Sequence, residues 1–511
     1  MTKLLALVAL SVLLATGALY GADWPQFQQN SQRHGRLETG PTGPYRARWI
    51  WTGPESVLRN KEVKPDWKDD LTGRDGYSFP MPKKVSMSFA EGMQPVHANG
   101  VLYALDLEGQ AYAINMDDGA TKWVGKNPGG SVNSPAVIGD VLVCASITGR
   151  LTALNLADGK EVWAVDTGRA ITGSPAVFEQ TIYLANHGGY IYSINAANGE
   201  VNWKVGLGSP CVGGIAADAK GCYLGCQDKY FYALNAKDGS TRARTQLTTQ
   251  SFRQLWPVVY QDKVLVQVVG TVCVGSEHVF DDVLQAGTNP QEEGENILRW
   301  LSGDNNSANG GKWAWASPDM KHFYVMETEK LTQPYVVPNG PSEGCGTPAD
   351  PPVIDNQGRV LLWWRTKFPT FTTNQASFGT KFTLDISAMD LATGKRVPID
   401  NGKFTGQGAE TDNAFAFSVG GDTLFLRQRF RGTHGLDLKK SDHHFIQVES
   451  RSRDGGSWPA PVSYVATGSP GISTPNRADS TRTAPSVASN MIFFAESYCI
   501  TAVDSANPAS K

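Results

Sequence analysis

The chain has 511 residues, of which 54 are glycine, 10% are aromatic and only 19% are charged; 46 Lys+Arg against 49 Asp+Glu leave a net charge of −3. Nucleic-acid binding rests on a basic face, which this balance does not supply. The length predicts about three domains at roughly 150 residues each, unless the chain is an array of small repeats around one axis.

The first residues read as an export signal. Lys3 precedes an apolar run over 4–15, and small residues follow, so 1–22 form a signal peptide with cleavage after Ala18 or Ala22. Tyr20 at the −3 position suits Ala22 poorly, whereas Thr16 suits Ala18. The run over 4–20 is shorter than the roughly 20 residues that span a bilayer, and no later segment is apolar enough. The mature chain is therefore expected to be periplasmic or secreted, without a membrane span. Its seven cysteines, at 144, 211, 222, 226, 273, 345 and 499, are an odd number, so at least one stays unpaired in an oxidising compartment. No cysteine near the cleavage region could take a lipid, and Cys222 and Cys226 lack the second pair that a zinc site needs.

Residues 46–52 (RARWIWT) read as a lone strand carrying Trp49. Residues 53–85 are rich in Pro, Lys and Asp, have no periodicity, and read as an inserted surface loop. A repeat then takes over. Ala113-Ile114-Asn115-Met116-Asp117-Asp118-Gly119 leads to Trp123, and the pattern recurs every 40 residues, through Asn155 and Gly159 to Trp163 and through Asn195 and Gly199 to Trp203. A fourth copy, Ala233 to Gly239, carries Ala243 where Trp is due. Ser134-Pro135-Ala136-Val137 likewise recurs as Ser174-Pro175-Ala176-Val177. Within one unit, Gly139, Gly149 and Gly159 mark turns between four short strands. A four-stranded antiparallel sheet cannot bury both faces alone, so the units must stack around an axis as propeller blades. The Trp, on the outer strand, is placed to dock against the next blade and bury roughly 150–250 Å².

The pattern Ala-x-Asn-x-x-x-Gly-x-x-x-Trp resembles the tryptophan-docking motif of PQQ-like (pyrroloquinoline-quinone-type) repeats. That family includes quinoprotein dehydrogenases and the propeller lipoprotein of the outer-membrane assembly machinery. Asp23-Trp24-Pro25-Gln26-Phe27 also looks like the start of mature bacterial proteins of this kind. The clear match covers about 94–245; the copy from Ala388 to Gly394 lacks its Trp, and Ala484-Pro485-Ser486-Val487 opens a last partial unit.

That last unit has room for three strands, and the strand with Trp49 would be its fourth, closing the ring and removing an open edge. Four regular blades, three degenerate ones around 250–335, 345–400 and 410–452, and the shared blade give an all-β, eight-bladed propeller in a single domain over 23–511, with seven blades as the alternative. A second insertion, 276–312, is expected to hold a short helix near 290–301. There Asn289 serves as N-cap, Pro290 enters the first turn and Glu292 completes a capping-box-like pattern.

Strand order places the linkers between blades and the turns between strands two and three on one face. It collects Asp106, Glu108, Asn186, His187, Gln227, Asp228 and Lys229, with Arg253, Gln254 and Trp256 joining from the fifth blade; these are the candidate ligand-binding residues. Ser146 falls on the same face. Cys211 and Cys226 also belong there, close enough on neighbouring strands for a disulfide if their Cα atoms lie within about 6 Å. His443 and His444 are adjacent on a strand and point to opposite sides, so no metal site is expected. No catalytic residue can be named: nucleophile-elbow, phosphate-loop and paired-histidine motifs are all absent.

The resemblance implies two main readings. The first is a binding or scaffold protein for an envelope protein or a polysaccharide, monomeric and without cofactor. The second is a PQQ- and calcium-dependent alcohol or sugar dehydrogenase. Such enzymes commonly hold the quinone over a ring of two adjacent cysteines, and this chain has no adjacent pair. A third is a polysaccharide-active enzyme using Arg253, His187 and Asp228.

Overall fold

The computed structural model describes residues 23–43, 45–59, 87–90, 92–247, 252, 255–268, 323–332, 335–337, 351–367, 381–392, 396–407, 415–428, 432–439, 443–447, 484–496 and 499–505. The expected signal peptide, the 276–312 insertion with its helix, Arg253 and Gln254 lie outside them. Every described element is a strand, and the strands form eight sheets around a ring, an eight-bladed β-propeller. Blades 1 to 7 span 96–126, 136–166, 176–206, 215–246, 258–337, 353–407 and 415–447, and blade 8 joins 486–505 to the N-terminal strand.

Blade 2 shows how the repeat dictates this. Ala136–Ile138, Val141–Ala145, Arg150–Asn155 and Glu161–Asp166 pair antiparallel in sequence order. Its inner strands are buried on both faces, so alternate residues serve different neighbours. Val143 and Leu151 pack with Ile182 and Tyr192 of blade 3, while Leu142 and Leu154 pack with Tyr103 and Trp123 of blade 1.

The docking motif is completed across the blade boundary. Trp49, Trp123, Trp163 and Trp203 donate their indole N–H to the carbonyls of Met116, Leu156, Ala196 and Ala236, at 2.8, 2.8, 3.1 and 2.8 Å. Beneath each ring lies the turn glycine of the following blade, Gly119, Gly159, Gly199 or Gly239, with φ between +70° and +76°. A Cβ there would stand 2.6–2.8 Å from the indole. Asn115, Asn155, Asn195 and Asn235 hold the turn by accepting the glycine N–H at 2.9 Å.

The boundary between blades 4 and 5 solves the same problem with other residues. Where Trp is replaced by Ala243, the glycine of the facing turn is replaced by Leu331, 2% exposed and at φ 51°, in the same apolar cluster. Arg242 donates to the Thr328 carbonyl (3.2 Å), the position that elsewhere takes the indole N–H. Lys220 and Arg242 both reach Glu329, at 2.6 and 3.9 Å.

The ring closes between the chain ends: Tyr45–Gly53 pairs with Cys499–Ser505, with Trp51 opposite Ile500 and Trp49 opposite Ala502. Residues 53–85 are not wholly a loop, because Ser56–Arg59 folds back as a fifth strand on Tyr45–Gly53. Four residues are too few to show an alternation in sequence, yet Val57 finds an apolar cluster to pack on.

The innermost strands form the wall of the shaft, and their free backbone groups need partners. Residues 24–37 supply them blade by blade. Trp24 exchanges two bonds with His97 (3.0 and 2.9 Å), and Pro25 O accepts from Val137 N (2.6 Å). The Gln26 amide brackets Val177 (2.9 and 3.0 Å). Carbonyls of Ser31, Gln32, His34 and Gly35 then accept from Ala217, Val259, Ile354 and Val419 (2.9, 3.0, 3.0 and 2.8 Å). Arg36–Leu37 ends the circuit parallel to Phe415–Gly420, and Leu37 packs with Val487 of blade 8. The tight path uses positive φ at Gln28, Gln29, Arg33 and Gly35. The shaft is thus filled by the chain's own N-terminal segment. Asp23 accepts from Asn99 N–H in a turn between strands one and two, so the segment enters at the end opposite the candidate face.

His97 links this plug to the closing blade, its Nε2 lying 2.9 Å from the Val487 carbonyl. Burial pushes its pKa down from 6.5 to about 4. The unfolded imidazole takes up a proton below about 6.5 that the folded one refuses until about 4, so this contribution is complete above pH 6.5 and is lost as pH falls through that window. It amounts to about 3 kcal/mol. The midpoint of thermal unfolding of the native protein is expected to fall more steeply between pH 7 and 4.5 than that of His97→Gln; equal slopes would clear His97 of any part in acid unfolding.

Candidate binding face

The face opposite the plug's entry carries the linkers between blades and the turns between strands two and three, stitched together in every regular blade. Ser131, Ile171 and Cys211 donate their N–H to the carbonyls of Asp106, Ser146 and Asn186 (2.9, 3.1 and 3.3 Å). In return, Ile147, His187 and Gln227 donate to Gly130, Ala170 and Pro210 (3.2, 2.9 and 2.9 Å). Backbone groups that a loop would leave to water are therefore consumed internally, which makes the rim a fixed surface.

The candidate residues divide into two kinds. Asp106 and Asn186 are buried and occupied by their own turns. The Asp106 carboxylate accepts from Gln110 N–H (2.7 Å) and the Tyr112 hydroxyl (2.6 Å), and burial raises its pKa against these bonds. Asn186 Oδ1 accepts from Gly188 and Tyr190 N–H (2.9 and 3.1 Å). Asp228, half-buried, is held in the same way by Tyr230 N–H and the Tyr232 hydroxyl (3.0 and 2.6 Å). These three carboxylate and amide groups shape the rim. Trp256 is 8% exposed and packs edge-on against Phe27 of the plug, 4.6 Å between centroids, so it belongs to the wall of the shaft.

The second kind faces outward. Glu108 is exposed and accepts from the N–H and hydroxyl of Ser88 (both 2.8 Å). Lys229 is exposed at φ 70°. His187 is half-buried with Nε2 2.8 Å from Thr172 Oγ1, and Gln227 occupies the matching place one blade on. In blades 1 and 2 that same turn position holds Leu107 and Ile147, 40% and 41% exposed. Sequence reasoning missed these two because single apolar residues in turns carry no signal; only their shared register with His187 and Gln227 does.

Cys211 and Cys226 form a disulfide, Cα–Cα 4.4 Å, that ties the linker entering blade 4 to that blade's turn. Cys144 and Cys222 are buried thiols, and burial pushes both pKa values up, which keeps them protonated and unreactive. Among the described residues no three His, Cys, Asp or Glu side chains converge to hold a metal ion. His443 and His444 lie side by side on the strand His443–Gln447. No described helix is long and apolar enough to cross a membrane.

This geometry defines an eight-bladed β-propeller whose regular blades are similar to PQQ-like repeats. Residues 64–211 and 147–276 match, in two overlapping registers, the family described as outer membrane protein assembly factor BamB. Among solved structures, BamB from Moraxella catarrhalis matches at 10% identity and TM-score 0.50, over 82% of this chain and 98% of that one. The quinohemoprotein alcohol dehydrogenases of Comamonas testosteroni and Pseudomonas putida HK5 match at 12% identity, with TM-scores of 0.56 and 0.53, each over 96% of this chain and 81% of the enzyme. At such identities the likeness is one of fold. No curated protein matches the chain.

Proposed function

We propose that this protein is an exported, single-domain propeller that acts as a binding platform for another envelope protein, through the face of linkers and two–three turns. The observation that carries this reading is the filled shaft. Arg33 and Phe27 of the plug are buried and joined by a 2.7 Å hydrogen bond, and among the described residues of the rim Leu107 and Ile147 stand exposed at matching positions. Apolar side chains on a rigid polar rim are the composition of a protein contact. The similarity to an outer-membrane assembly factor supports the same class of role. Fold alone does not choose between platform and enzyme.

A photo-crosslinker placed at Leu107 or Ile147 is expected to yield discrete protein adducts in envelope extracts, while one at Asn99, on the opposite end, yields none. Identical patterns from both ends would refute the assignment of the face. Quinoproteins commonly hold their cofactor over two adjacent cysteines, a pair that this chain does not contain. Titration with micromolar PQQ and Ca²⁺ is accordingly expected to leave the quinone absorbance unshifted and no dye reduced with alcohols or sugars.

A further inference from the structure

The outer strand of each blade is a sheet edge, and edges are normally blunted by lysine, proline or interruption. In blade 1 the edge Thr121–Lys126 carries Lys122, Lys126 and Gly125; in blade 3, Val201–Gly206 carries Lys204 and Gly206; in blade 4, Thr241–Gln246 carries Arg242 and Arg244. Blade 8 is protected differently, by the added strand Ser56–Arg59. Blade 2 has none of these devices. Its edge, Glu161-Val162-Trp163-Ala164-Val165-Asp166, contains no cation, glycine or proline, and Val162 is 49% exposed, more than any other large apolar side chain described. It carries three β-branched or aromatic residues, as many as the edges of blades 1 and 3, with no glycine among them to weaken the strand.

We propose that the edge Glu161–Asp166 receives a β-strand from a partner protein, and that this strand has an apolar centre flanked by Lys or Arg. Blade 8 shows such an addition within this chain. There Val57, Leu58 and Arg59 lie opposite Trp51, Ile50 and Trp49, and Trp49 is the docking indole equivalent to Trp163. The added strand is thus apolar in the middle and ends on a cation. Charge selects the same chemistry at blade 2. The edge begins and ends on an acid, so two copies paired antiparallel would set Glu161 near Asp166 of the other copy at both ends, and like charges facing across strands are destabilising. A partner strand with cations at its ends meets Asp166 and shares the exposed Glu161 carboxylate with Arg150 of the same blade, 2.9 Å away, and the backbone supplies the pairing. This surface is on the flank of the ring, independent of the face proposed above.

The test uses the full mature chain and a labelled peptide, Lys-Thr-Val-Thr-Val-Thr-Val-Lys. Fluorescence anisotropy is expected to show saturable binding that protects amides of 161–166 from hydrogen exchange. Val162→Lys, on an exposed side chain, is expected to weaken it about tenfold or more, about 1.4 kcal/mol, and Val124→Lys in blade 1 to leave it unchanged. Replacing the peptide's terminal lysines by glutamates is expected to abolish binding. No binding by the lysine peptide, equal binding by Val162→Lys, or equal binding of the glutamate peptide would each overturn the proposal. So would a concentration-dependent dimer in sedimentation that Val162→Lys dissolves, since the occupant would then be a second copy.

Discussion

Arg33→Met is expected to destabilise the protein by at least about 4 kcal/mol, read as a fall in the denaturant midpoint, with residues 23–40 becoming open to protease. Arg33 is 1% exposed, buried between the plug and the inner strands of blades 3 and 4. Its guanidinium donates to the carbonyls of Ile215 (3.0 Å), Phe27 (2.7 Å), Ser174 (3.1 Å) and Pro175 (2.9 Å). One side chain therefore clips the plug to itself and to blades 3 and 4. No described carboxylate faces it, and burial lowers its pKa to about 9, still charged at neutral pH. The cost of desolvating that charge is offset by four charge-assisted bonds in a planar fork and by the Phe27 ring, 5.7 Å away. A methionine of similar length would leave four buried acceptors unpaired, each costing about 1–3 kcal/mol and not fully additive. Arg33→Lys should fare little better. A compact ammonium cannot span carbonyls on opposite sides, and it sheds its proton readily when buried. A loss under about 1 kcal/mol for Arg33→Met would mean that the plug is an ornament and not a keystone.

The plug also marks where sequence reasoning stopped. The regular half of the ring was legible because each repeat contains its whole explanation: turn glycines, paired strands and an indole with a matching partner 33 residues on, as in Trp123 to Leu156. Closure by Tyr45–Gly53 was legible for a related reason, a three-stranded last unit and an orphan strand with a Trp. The plug has no such internal logic. Residues 24–37 have no periodicity and few apolar positions, since their shape is imposed by inner-strand N–H groups spread over seven blades. One trace is visible afterwards: in blades 1, 2, 3, 5 and 6 the residue bonded to the plug, His97, Val137, Val177, Val259 or Ile354, stands two places after a proline. At the candidate face, strand order located Asp106, Asn186 and Asp228 correctly on the rim. Their composition did not reveal that turn hydrogen bonds already occupy them.

The exchange at the boundary of blades 4 and 5 makes a prediction that can be read as a coupling energy. Ala243→Trp alone is expected to destabilise by about 3 kcal/mol, because the indole would meet Leu331 where other blades offer a glycine. Leu331→Gly alone is expected to cost about 2 kcal/mol: a buried leucine is lost and a cavity opens, partly offset by relief of its positive φ. The double variant rebuilds the arrangement seen at Trp123 over Gly159. Its indole N–H can take the Thr328 carbonyl now held by Arg242, and the ring can lie on the new glycine. It should therefore lose only about 2–3 kcal/mol where additivity gives about 5, a coupling of about 2–3 kcal/mol in its favour, within the range found for residues in direct contact. Simple additivity of the two losses, measured by denaturant midpoints, would show that Ala243 and Leu331 changed independently. A favourable coupling would show that the repeat, where its motif loses both Trp and Gly, has kept the shape of its joint and changed only which blade supplies the bulk.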